Sequence, residues 1–359
     1  MRKIWIIFLL LWCMAPAYGA EIPEEITDAM PDSAKELLEN TDKVENFTSL
    51  GDGLSGLWER TCKLLAVTVQ DSLGGVVLIM SAILLCSLAE DCFGAAGGGR
   101  MLDPVPLVGT MVILLAVGSN MKSLMGLGEQ TIEELDIFSK ALLPTLSAAA
   151  APGGCAVPAS VRQVATVFFS DLLISLIRSL LLPLVWVFVA LSAADAILPA
   201  GRLSGIAQGL HKAATWLLSG SLLLFTGYLS LSGAFASSAD SLTLRMARSA
   251  IGTAIPVVGG IISDAADTIL AGAGVLRRSV GIVGTLTILA TCILPFLKLG
   301  VQYLLLKLSA FFAAAVAPEP LVKLLHALSS AFGLVLGMTG ATAAMLLISV
   351  ASSVKVVSL

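Results

Sequence analysis

Apolar residues in this chain gather into long unbroken runs, unlike the two-residue alternation of exposed strands or the narrow stripes of soluble helices. A short run occupies Ile4–Met14, followed by a polar stretch reaching about residue 64. Seven longer runs then follow: Leu65–Ala89, Val105–Leu124, Val164–Leu198, Ala213–Ala236, Ala250–Val275, Val280–Val301 and Ala331–Val354. A bilayer core about 30 Å thick takes roughly 20 helical residues at about 1.5 Å each, so every one is long enough to cross. The pattern predicts an all-α, polytopic transmembrane helical bundle with about seven spans, some of them broken by Gly and Pro. The third run, 35 residues with Arg178 and Pro183 near its middle, fits either one kinked, tilted helix or a tight helical hairpin. Leu304–Val316 is short for a crossing and suits an interfacial or re-entrant piece.

Composition points the same way. Apolar residues make up 57% of the 359 and charged residues 13%, far from the balance of a soluble domain. The net charge of −4 argues against nucleic acid as a partner, because phosphate binding requires excess Lys and Arg. The lipid bilayer is the partner that the composition implies.

Charge divides the chain into three parts. Arg2 and Lys3 precede the first apolar run, and Ala15, Ala17, Gly19 and Ala20 follow it, which is the layout of a cleaved signal peptide over residues 1–20. An uncleaved anchor helix is the alternative. Residues 21–64 form an acidic segment, expected outside the cytoplasm because a basic start precedes the first hydrophobic run. Residues 65–359 are the multispanning part. With the third run as one span, the C-terminus falls inside and the inner loops hold Arg100, Arg202, Lys212, Arg277, Arg278 and Lys355. Lys122, Arg162, Arg245, Arg248 and Lys323 fall outside, so the basic bias is only weakly inward.

Ionisable groups inside apolar runs are costly and so face protein or water. Asp71, Asp171, Arg178, Asp195, Asp264, Asp267 and Lys298 are such groups, several of them near predicted ends, and Arg178 with Asp171, seven residues apart on one helix face, predicts an internal pair. The segment Arg245–Arg278 is interrupted by Pro256, Gly259 and Gly260 and carries Asp264, Asp267, Arg277 and Arg278. Proline removes a backbone hydrogen bond and glycine loosens a helix, so a discontinuous helix beside a pathway is expected there, or else a kinked packing helix. Glu129–Leu143 is amphipathic, with Ile132, Leu135, Phe138 and Leu142 opposite Glu133, Glu134, Asp136 and Lys140. It suits a helix lying in the interface or one packed on the protein's own surface.

Catalytic and cofactor signatures are missing. The six cysteines form no CxxC pair, and His211 and His326 lie 115 residues apart with no metal-ligand spacing. The chain has no GxxxxGK[ST] loop, no GxSxG and no HExxH. The sequence therefore predicts a non-enzyme with no catalytic, cofactor-binding or metal residues.

The run IPVVGGIISDAADTILAGAGVLRRSVGIVG at Ile255–Gly284 resembles the central signature of the stage III sporulation protein AE family of endospore-forming bacteria. Leu142–Pro144, the block at Leu294–Lys298 and the stretch Phe311–Leu325 agree with it, and the likeness extends from about Leu65 onward. The resemblance implies a multispanning protein of the mother cell, placed in the outer forespore membrane. There it would join the other stage III sporulation A-operon membrane proteins and a forespore-membrane partner in a secretion-like channel, or feeding tube, needed for late forespore gene expression. Energy would come from a separate ATPase subunit. The family carries over no catalytic residues. A small-molecule permease with its own pathway, lined by Asp264, Asp267 or Arg178, is the alternative.

Overall fold

The computed structural model describes residues 24–39, 50–95, 104–148, 167–198, 203–228 and 259–355. Two short helices, α1 (Glu24–Asp28) and α2 (Asp32–Glu39), precede α3 (Leu50–Ala95), α4 (Pro104–Ala148) and α5 (Val167–Ile197). Then come α6 (204–228), α7 (Gly259–Ala313) and α8 (Glu319–Lys355). The described residues contain helix and turn and no strand. Among the described residues, five helices (α3, α4, α5, α7 and α8) are long and apolar enough to cross a membrane. The signal-peptide residues 1–20 lie outside the described residues.

The long antiparallel pair α7–α8 forms the centre. In each, 61% of the most apolar window is buried, against 17% in α3, which packs on the outside of α7 and α4. Pro318 closes the α7–α8 turn by accepting the amide protons of Leu321 and Val322, and Ser87 Oγ donates to the Val316 carbonyl at 2.8 Å. Close approaches fix the register. A Cβ on Gly128 would meet Val335 at 2.7 Å, and one on Gly284 would meet Leu142 at 2.8 Å.

Two expectations are corrected here. The predicted spans Ala250–Val275 and Val280–Val301 are not separate. From Gly259 onward they form one helix, which also absorbs most of Leu304–Val316. The linking residues Leu276–Ser279 contain no Gly, Pro, Asn or Asp, and their two arginines are good helix residues, so nothing locally reverses the chain. Removing that reversal changes the parity. Ile26 near the N-terminus and Val350 near the C-terminus share one apolar cluster, so both ends of the described chain lie at the same end of the bundle. Lys323 accordingly lies at the opposite end from Arg278, with the α7–α8 turn.

The third run resolves as a single helix. It widens into a π turn at Ile177–Leu181, where Leu182 N–H donates to the Ile177 carbonyl five residues back. Pro183 follows, with no N–H for the Ser179 carbonyl, and the wider turn accommodates that loss.

The helices are much longer than a bilayer needs: α7 alone, at 55 residues, is about 80 Å. Exposed large apolar side chains mark which part is greasy. They run from Leu65 to Leu88 on α3, Leu180 to Leu198 on α5, Ile206 to Leu224 on α6 and Phe296 to Val316 on α7 and its turn. Each stretch rises about 30 Å, the thickness of a hydrocarbon core. On α4 the exposed group is Leu107–Leu115. Beyond this belt, only Trp58, Ile137, Phe168 and Leu172 are exposed large apolar residues among those described. The bundle therefore has an apolar belt at the α7–α8 turn and a stalk at the other end.

Candidate functional site

Two polar clusters stand out, one where belt meets stalk and one at the belt's turn end. The first lies between α4 and α5. Arg178 Nη2 pairs with Glu133 at 2.7 Å, and Lys140 bridges Asp136 at 2.9 Å and Asp171 at 3.3 Å. The expected Arg178–Asp171 pair is thus replaced by two interhelical pairs. The amphipathic stretch Glu129–Leu143 supplies both partners because its apolar face, Ile132, Leu135, Phe138 and Leu142, is fully buried against the protein. Of the two roles foreseen for that stretch, packing on the protein's own surface is the one observed. Arg178 Nε, Asp136 Oδ1 and Ser170 Oγ are buried with no hydrogen-bond partner among the described residues. Ser33 Oγ and Gln130 also reach Glu134, tying α2 to the same acidic face.

The second cluster lines an open cavity of about 680 Å³ where α5 ends and α6 and α8 begin. Phe188, Ser192, Ala196 and Ala207 make its buried floor. Asp195, His211, Lys212, Glu319, Lys323 and His326 stand around it. Asp195 Oδ1 accepts the Leu203 amide at 2.8 Å, which closes the α5–α6 turn and holds the carboxylate in place. Glu319 and Lys323 pair at 2.8 Å along the first turn of α8. His211 stacks obliquely on Phe188, ring centres 5.5 Å apart.

Of the residues singled out in the sequence, Arg178 and Asp195 share α5 but belong to different clusters. Gly259 and Gly260 are the first residues of α7, and the helix continues unbroken through Asp264, Asp267, Arg277 and Arg278. Arg278 is exposed. Pro256 and the side chains of Asp264, Asp267 and Arg277 lie outside the described residues. The sequence reading missed the cavity because His211 and His326 are far apart in the chain. The available signal was that Leu198–Ser204 and Pro318–Glu319 both read as helix boundaries flanked by charge. No group of three His, Cys, Asp or Glu that could hold a metal occurs among the described residues.

This architecture is that of an all-α bundle with five described helices long and apolar enough to cross a membrane, and with polar residues gathered at the two edges of its belt. A family model described as stage III sporulation protein AE matches residues 35–356. The chain belongs to that family. It is 26% identical over 257 residues to stage III sporulation protein AE of Bacillus subtilis (strain 168), a match covering 72% of this chain and 64% of the relative. No solved structure matches the chain.

Proposed function

We propose that the chain is an integral membrane core subunit of a multiprotein, secretion-like channel linking mother cell and forespore during endospore formation. In this role it serves late forespore gene expression and has no catalytic activity of its own. The observation that carries the proposal is the family match over residues 35–356, on a chain whose five longest apolar helices suit a bilayer. The outer forespore membrane is its proposed location. Its proposed partners are the other stage III A-operon membrane proteins, a forespore-membrane protein and a separate ATPase. The stalk supports this reading, since helices that continue past the lipid supply surface for such contacts.

Reconstitution tests it. Solute flux through liposomes is expected only when partner proteins are co-reconstituted, and a late forespore reporter is expected to fall silent when the gene is deleted. Saturable flux of a defined solute by this chain alone would replace the proposal with the permease reading.

A further inference from the structure

The cavity at the turn end is not used by the channel reading, and its chemistry is specific. Two acids, Asp195 and Glu319, and two bases, Lys212 and Lys323, stand around one apolar floor, contributed by the consecutive helices α5 and α6 and by the distant α8. Charges of both signs on one concave wall complement a ligand that carries both signs itself. Lys212 makes no ion pair among the described residues, so it is available to an anion. The cavity also sits at the rim of the apolar belt, beside exposed Leu198 and Ile206. A molecule with an ammonium, an anion and an apolar tail anchored in that belt fits all three features.

We propose that this cavity binds an ammonium-and-phosphate zwitterion, the headgroup of an ethanolamine phospholipid. The primary ammonium donates to Asp195 and the phosphate accepts from Lys212, and the exposed Glu319–Lys323 pair opens so that each of its members meets the ligand charge opposite to its own. The acyl chains run down the belt. A choline headgroup has no N–H to donate, so the site discriminates between the two lipids. The proposal is independent of the channel reading, because binding is measured on the isolated chain.

The test places the purified chain in nanodiscs containing equal amounts of phosphatidylethanolamine and phosphatidylcholine, with native mass spectrometry reading the retained lipid. Ethanolamine lipid is expected to be favoured about tenfold, the order expected for a charge-assisted hydrogen bond. Asp195→Asn and Lys323→Gln should each erase that preference. The asparagine keeps the carbonyl oxygen that accepts the Leu203 amide, so loss of the turn does not confound the result. Soluble glycerophosphoethanolamine, titrated against the detergent-purified chain, separates headgroup from lipid. Binding that is sensitive to both variants assigns the site to the free zwitterion as well, while binding of the lipid alone assigns it to the membrane. Equal retention of the two lipids without binding of the soluble probe would overturn the proposal. So would a preference that neither variant changes.

Discussion

The belt and the stalk are built from the same helices with opposite rules. Along α7, Phe296, Leu304, Leu308, Phe311 and Phe312 are exposed, whereas between Arg278 and Leu294 no large apolar side chain is exposed. Val280, Val283, Leu286 and Ile288 there are buried against α1, α2, α3, α4 and α8. In the belt, apolar surface faces outward and costs nothing in lipid. In the stalk it must be covered, and the small helices α1 and α2 with the turn between them do part of the covering through Ile26, Ala34 and Met30. One helix therefore crosses from a solvent that tolerates exposed phenylalanine to one that does not.

The largest expected effect comes from hollowing the stalk. Phe138 is fully buried there beside Leu135 and Leu142. Phe138→Ala should cost about 3–5 kcal/mol by the lost transfer energy and the cavity left behind. Phe311→Ala, on an exposed belt residue, should leave the melting temperature in detergent nearly unchanged. Equal losses at the two sites would dissolve the distinction. A second pair keeps to one helix. Val77 is exposed halfway along the α3 belt and Trp58 is exposed on its stalk portion. Val77→Arg should lower membrane insertion by about 2.5–3.5 kcal/mol, while Trp58→Arg should stay within about 0.5 kcal/mol. A glycosylation-mapping insertion assay reads both, and comparable penalties would move the lipid boundary.

Much of this was legible in the sequence. Five of the seven apolar runs coincide with the helices long enough to cross, because twenty consecutive apolar residues leave a helix in lipid few alternatives. What pattern could not supply was where helices stop. Arg277-Arg278 reads as an inner loop if spans are assumed to be one bilayer long, and that assumption fails for a helix continuing into a stalk. Ion partners were illegible for a related reason. Asp171 and Arg178 suit each other by helical spacing, but the choice was made by α4, whose buried Leu135–Phe138 face turns Glu133 and Lys140 toward α5. A chain position shows what shares a face, and not which neighbour that face meets.

The ion pairs where belt meets stalk are worth less than their geometry suggests. Arg178 and Glu133 are 35% and 54% exposed, so water screens much of their attraction. A double-mutant cycle with Arg178→Gln and Glu133→Gln should return a coupling of about 0.2–1 kcal/mol in detergent. A coupling of several kcal/mol would place the pair in a dry interior and raise the belt's edge above it.

The smallest effect belongs to the opposite edge, where His211 rests on Phe188 among Asp195, Lys212, Glu319, Lys323 and His326. His211→Gln removes that ring contact and should change stability in detergent by no more than about 0.5 kcal/mol, because the imidazole lines an open cavity and is not part of the closed core. Thermal melts of the two chains read the difference. A loss of about 2 kcal/mol or more would mean that the ring is packed into the floor as a core side chain, and that the bundle is closed where the cavity opens.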